Sequence, residues 1–134
     1  MVFTVSQKVL FRHCDPAGIV FYPRYFEMMN DCVEAFFDRI GHPFEGIHQD
    51  GAIPTARIDA RFRVPSRHGD VLEIDLECAR VGTSSLAIGF CGRAGDQIRF
   101  EADAVVVHVG ADGRPLPWPD DMRQALKRHM EGRS

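Results

Sequence analysis

From Phe3 the chain alternates: Phe3, Val5, Val9 and Phe11 fall on one parity, and Thr4, Ser6, Lys8 and Arg12 on the other. That is a period-two strand, imperfect at Gln7 and Leu10. His13 to Pro23 breaks the alternation with two prolines and a glycine, which predicts an irregular loop. A helical pattern follows, in which Tyr25, Phe26, Met28, Met29, Cys32, Val33, Phe36, Phe37 and Ile40 recur at spacings of three and four. Pro23 suits its first position and Gly41 the left-handed cap beyond its last turn. Its apolar stripe is wide enough to be wrapped on most sides, leaving Glu27, Asn30, Asp31, Glu34 and Asp38 as a narrow wet face.

After a loop over 41–54, the alternation returns. Ile58, Ala60, Phe62 and Val64 alternate with Arg57, Asp59, Arg61 and Arg63, and Leu72, Ile74, Leu76 and Cys78 with Glu73, Asp75, Glu77 and Ala79. Leu86, Ile88 and Phe90 form a third run, and Ile98 to Val109 a fourth. Gly69-Asp70, Val81-Gly82 and Ala94-Gly95-Asp96 punctuate these runs as hairpin turns. Pro115 to Pro119 ends the sheet, and Asp120 to His129 predicts a short closing helix. Short turns force antiparallel neighbours. An antiparallel sheet with one apolar face buries that face by curling around the apolar helix. The expected fold is therefore α+β: a hot-dog domain over residues 1–134, with a five-stranded antiparallel sheet around one long helix and a short C-terminal helix.

The chain of 134 residues fits one domain. Its 16 basic and 19 acidic side chains make no general electrostatic case for nucleic acid or an anionic membrane. No apolar run has the length of a membrane span or the form of a signal peptide, so the expected location is cytoplasmic. Cys14, Cys32, Cys78 and Cys91 contain no Cys-x-x-Cys pair and are expected to be reduced, mostly buried thiols.

Candidate chemistry gathers in the loop before the long helix. Asp15 precedes a proline, which pushes its backbone to an extended conformation, and Gly18 permits a sharp turn or close approach of a ligand. A helix start offers unpaired N–H groups and about half a positive charge. Pro23 has no N–H, so the Tyr22 amide is the candidate donor. Amide donors can hold the oxyanion that forms when a thioester carbonyl is attacked. A nearby carboxylate can attack that carbonyl or activate a water. By itself, an Asp-Pro-x-Gly segment ahead of a helix is also an ordinary turn and cap.

The run Asp15-Pro16-Ala17-Gly18-Ile19-Val20-Phe21-Tyr22-Pro23, followed by Tyr25-Phe26, resembles the active-site signature of the 4-hydroxybenzoyl-CoA thioesterase family. The resemblance implies hydrolysis of an acyl- or aryl-CoA thioester. Asp15 would be the catalytic carboxylate, the Tyr22 amide the group that polarises the carbonyl, and Gly18 the residue that lets the loop close, with Pro16, Ala17 and Val20 beside the substrate. It also implies homodimers joined sheet edge to sheet edge, or homotetramers, with the active site between subunits. The Arg80-Val81-Gly82-Thr83-Ser84-Ser85 segment matches the family's CoA contacts from the partner chain. Thr83, Ser84 and Ser85 are thus expected to bind substrate, although this turn is less basic than in the 4-hydroxybenzoyl enzyme.

Arg57, Arg61 and Arg63 share one strand face, with Arg67-His68 beyond; Arg61 is a candidate for CoA phosphates, which favour bidentate arginine. The alternative is a solvated face balanced by Asp59, Glu73, Asp75 and Glu77. Adjacent residues of an extended chain point apart, so His13-Cys14-Asp15 is no catalytic relay. His42, His48 and His68 have no metal-ligand spacing. No cofactor is expected, coenzyme A being part of the substrate. Two other functions fit the same fold: a dehydratase acting on 3-hydroxyacyl thioesters, which would need a paired His and acid that the helix lacks, and a non-catalytic domain binding acyl-CoA or acyl carrier protein.

Overall fold

A computed structural model describes residues 2–131; Met1 and residues 132–134 of the expected domain lie outside it. The first strand, β1, runs Phe3–Lys8, and the long helix, α1, runs Pro23–Arg39. A one-turn helix α2 (Phe44–Ile47) and a two-residue strand β2 (Gly51–Ala52) follow. The main strands are β3 (Thr55–Phe62), β4 (Val71–Val81), β5 (Ser85–Ala94) and β6 (Gln97–Val107). A two-residue β7 (Val109–Gly110) and the closing helix α3 (Asp120–Glu131) complete the order. The five long strands form one antiparallel sheet in the order β1-β4-β5-β6-β3, while β2 and β7 pair separately. This is the hot-dog architecture expected from the hydrophobic pattern.

The helix sits where its pattern demands. Tyr25, Met28, Met29, Cys32, Val33, Phe36 and Phe37 are buried, while Glu27, Asn30, Asp31, Glu34 and Asp38 stay exposed. Pro23 occupies its first turn. Its end is closed by Gly41 at φ +91°, with the Gly41 and His42 amides donating to Asp38 and Phe37 carbonyls at 3.1 and 2.9 Å. The apolar side packs on Leu72, Ile74, Leu76, Leu86, Ile88 and Phe100 from the sheet's inner face. Outward positions of β4 and β6 carry Glu73, Asp75, Glu77, Glu101 and Asp103.

Three features differ from the sequence expectation. The expected loop over 41–54 holds the one-turn helix α2 and the short strand β2. The first strand stops at Lys8 because Phe11–His13 form a 3₁₀ turn, which leaves Phe11 79% exposed. Gly69-Asp70 is a turn but joins no hairpin: β3 pairs with β6 at one edge, and β4 lies between β1 and β5. The connection from β3 to β4 therefore crosses the end of the sheet, beneath the loop that holds Asp15.

Candidate active site

Residues 13–21 fold as a miniature hairpin. The Phe21 amide donates to the His13 carbonyl at 3.0 Å, Cys14 bridges Val20, and the Asp15 amide donates to the Ile19 carbonyl at 3.0 Å. Its tip is a β-turn closed by the Gly18 amide on the Asp15 carbonyl at 2.9 Å. Asp, Pro and Gly are favoured at the first, second and fourth positions of such a turn. Gly18 has φ +81°, where any L side chain is strained. The Asp15 carboxylate accepts the Ala17 amide at 2.9 Å through Oδ1, as an Asx turn. Its other oxygen has no donor among the described residues. Pro16 and Ala17 are exposed at the tip.

The hairpin is braced by the two residues that make up the buried polar part of the described interior, His13 and Ser66. His13 Nδ1 accepts the Leu10 amide at 2.8 Å, so its ring proton rests on Nε2. Burial, with Arg12 adding to it, holds this imidazole below its ordinary value of 6.5. Ser66 lies on the β3–β4 connection; its carbonyl accepts the Val20 amide at 2.8 Å. Its hydroxyl accepts the Tyr25 hydroxyl at 2.9 Å and Arg99 Nη1 at 3.1 Å. Arg99 also reaches Asp70 at 2.8 Å, and the Arg67 amide donates to the same carboxylate at 2.9 Å. These bonds, the Arg67 amide's first, hold the Asp70 carboxyl below the usual carboxylate range. Four segments of the chain thus converge on one loop.

Tyr22 follows in αR geometry (φ −53°, ψ −33°), so its N–H points out of the start of α1. Among the described residues that N–H has no acceptor. The Tyr22 ring is 57% exposed, edge-on to Phe21 and Phe62 at 5.7 and 5.9 Å. One helical turn further on, a cavity of about 250 Å³ opens between α1 and the β3 side of the sheet. Phe26, Met29, Val33, Ile58 and Phe90 supply its apolar walls, and Asn30 and Thr55 its polar atoms; Asp15 and Gly18 do not line it.

The other candidates lie apart. The Val20 side chain is 6% exposed and belongs to the core, so only its backbone takes part in the loop. Arg61 stands on the outer sheet face, 3.9 Å from Asp103 with both side chains exposed. Thr83, Ser84 and Ser85 form the β4–β5 turn, tied to the C-terminal tail. Trp118 donates its amide to the Thr83 carbonyl and its indole N–H to the Ser85 carbonyl, at 3.0 and 3.1 Å. The Asp15 loop packs on the start of β4 and this turn on its end, roughly 30 Å away along a strand rising about 3.3 Å per residue. One chain does not bring them together.

Sequence reasoning did not single out Ser66, Asp70 or Arg99. A weak signal for the network existed in Tyr25, since a buried tyrosine hydroxyl requires a partner. No described cluster of three or more His, Cys, Asp or Glu residues could hold a metal, and no described helix is long and apolar enough to cross a membrane. Among the described residues the four cysteines form no disulfide, and burial pushes the Cys32 thiol up to about 12.

Residues 9–126 match the model of the thioesterase-like superfamily. The 4-hydroxybenzoyl-CoA thioesterase of Pseudomonas sp. (strain CBS-3) is 30% identical over 76 residues, a match spanning 54% of this chain and 54% of that protein. Two solved structures share the fold closely. A 1,4-dihydroxy-2-naphthoyl-CoA thioesterase from Synechocystis has a TM-score of 0.88 at 19% identity, covering 95% of this chain and 96% of its own. An aspartate-to-asparagine variant of 4-hydroxybenzoyl-CoA thioesterase, complexed with 4-hydroxybenzoyl-CoA, has a TM-score of 0.83 at 24% identity, covering 93% and 98%. With its family model matched over most of its length, the chain belongs to the thioesterase-like superfamily.

Proposed function

We propose that this protein hydrolyses acyl- or aryl-CoA thioesters, with Asp15 as the catalytic carboxylate and the Tyr22 amide as oxyanion donor. The observation that carries the reading is the pairing of a carboxylate oxygen without a donor and an N–H without an acceptor, both on one braced loop at the start of α1. Asp15 either attacks the thioester carbon or takes a proton from a water that does. The negative charge passing to the carbonyl oxygen is held by the Tyr22 N–H and the positive end of the helix. With Asp15 as base, the carbon–sulfur bond then breaks, the acyl group keeps the water's oxygen and the water's proton passes by way of Asp15 to the departing sulfur. With Asp15 as nucleophile, the thiolate leaves as an acyl anhydride forms on Asp15. A water then hydrolyses that anhydride to the free acid, restoring the carboxylate and supplying the proton the thiolate takes up. A thiol with a pKa of about 8.5 leaves readily as its anion. The apolar cavity beside Phe26 supports an acyl or aryl group as its occupant, and the relatives named for aryl-CoA substrates agree with this reading.

The same proposal requires a second copy of the chain. β3 is an edge strand with seven of its eight residues exposed, Ile58 and Phe62 among them at 38% and 45%. An exposed apolar edge is normally covered or paired. Two β3 strands pairing antiparallel about Ala60 set Asp59 against Arg61 and Ile58 against Phe62. A two-fold axis there sends the partner's Thr55 end, and with it the partner's Thr83–Ser85 turn, toward this chain's Asp15 loop. That answers the separation seen within one chain.

Thiol release from short, long and aryl CoA esters tests the chemistry, with Asp15→Asn beside the wild type. The substitution keeps the shape, removes the charge, and should lower kcat by about 10²- to 10⁴-fold. A variant within threefold of wild type would show that Asp15 is no catalytic group. Hydration of a crotonyl thioester without thiol release would identify a dehydratase instead.

A further inference from the structure

Beside the Asp15 turn lies Arg67, which makes no ion pair among the described residues. Arg67 bridges Ile19 through its backbone, and its guanidinium lies over the turn, with Nη1 4.0 Å from where a side chain on Gly18 would begin. Its main chain is held by Asp70 on both sides: the Arg67 amide donates to the carboxylate and the Asp70 amide to the Arg67 carbonyl, at 2.9 and 3.0 Å. Val9 and Gly69–Asp70 exchange backbone bonds of 2.7 and 2.9 Å, which bring Lys8 to the same end of the sheet, whereas Arg12 lines a hollow with Glu27 and Asp31. Among the described residues Lys8 and Arg67 make no ion pair, as is also true of Arg12, Arg39, Arg57, Arg80, Arg123, Lys127 and Arg128, but of these cations Arg67 is the one whose guanidinium lies over the Asp15 turn. Next to it Phe11, 79% exposed, stands edge-on to His68 at 5.8 Å.

The open side of α1 bears Glu27, Asp31, Glu34 and Asp38. On the outer sheet face Asp75, Glu101 and Asp103 are already paired with Arg93, Arg63 and Arg61. A ligand with several phosphates is repelled by the open side of α1 and drawn to an arginine that makes no ion pair. Guanidinium groups suit phosphate oxygens, and a nucleobase stacks on an exposed aromatic ring.

We infer that Arg67, with Lys8, binds the phosphates of the CoA nucleotide on the same chain that carries Asp15, and that Phe11 receives the adenine. This rests on the thioesterase reading above and adds a nucleotide site distinct from the partner's Thr83–Ser85 turn. Arg67 contributes affinity for the handle of the substrate and not to the bond-breaking step, so its loss acts on KM and depends on the phosphates being present.

The test compares a CoA thioester with the matching pantetheine thioester, which lacks the nucleotide and all its phosphates. For Arg67→Gln, KM for the CoA ester should rise about tenfold, and the rise should shrink as salt screens the charge. KM for the pantetheine ester and kcat for both should stay within twofold. An unchanged KM for the CoA ester, or an equal rise on both esters, overturns the assignment. So does a CoA-specific rise for Arg80→Gln and none for Arg67→Gln. Calorimetric binding of free CoA to wild type and Arg67→Gln separates this inference from the one beneath it. Tenfold weaker binding of CoA by Arg67→Gln than by a wild type that hydrolyses nothing would keep the nucleotide site and discard the hydrolase; hydrolysis with equal binding would do the reverse.

Discussion

The His13 ring is buried with its Nδ1 lone pair turned to the Leu10 amide, an arrangement only the neutral imidazole can keep. Arg12 and Arg24 face it as cations and Glu27 and Asp31 as anions, but burial is the largest influence and lowers its proton affinity. Because the folded value lies below the unfolded 6.5, the ring's contribution to stability is complete above about pH 6.5. It is lost as the pH falls through the folded value, where the unfolded chain takes up a proton that the native chain resists. His13→Asn puts an amide oxygen near the Nδ1 position and removes the titration. Its melting temperature should therefore fall less than that of wild type between pH 6.5 and 5, and parallel curves would refute the role. His13 also shows what sequence cannot reveal about a residue. Adjacent residues of an extended chain point apart, which argues against a His13-Cys14-Asp15 relay, yet nothing local announces that the His13 ring turns inward as a hydrogen-bond acceptor.

Elements were legible in the sequence wherever a period ran long enough. The α1 stripe, its Pro23 start and its Gly41 stop are all found in place, because helix capping and burial are decided within a few residues. Pairing between β3 and β6 was not legible, since Ile58 and its opposite number Ala104 lie 46 positions apart and no local signal joins them. The Gly69-Asp70 turn reads as a hairpin for the same reason. The Asp15 loop fell between these cases: its turn chemistry was local and readable, while the Ser66, Asp70 and Arg99 support came from distant segments. The cap gives the cleanest prediction at this scale. An added Cβ at Gly41 meets nothing within 4 Å, so Gly41→Ala costs only the left-handed backbone, about 1–2 kcal/mol. The urea midpoint should drop accordingly. Since α1's 17 residues rise about 1.5 Å each, the change sits roughly 25 Å from the Asp15 loop, and activity at 25 °C should hold within twofold.

At the scale of the whole molecule, the proposed assembly follows from one uncovered edge. Asp59→Arg tests it without assuming a register, because antiparallel pairing about Ile58 or about Ala60 sets residue 59 against Arg57 or Arg61. Like charges directly opposed are destabilising, so light scattering should find the variant dissociating at concentrations where wild type stays paired. Its specific activity should fall on dilution sooner than that of wild type. A wild type that is monomeric and fully active at micromolar concentration would refute the shared site.

The polar brace of Tyr25, Ser66, Asp70 and Arg99 has a consequence in time as well as in space. Helix α1 can form from local contacts within about a microsecond, but the loop at its start has no strut until β6 has docked and delivered Arg99. Contacts that join such distant positions are the slow ones to gain during folding. The Asp15 loop is therefore expected to be among the last parts to become ordered, and a nascent chain halted before residue 99 carries the whole Asp15 signature without the means to hold it.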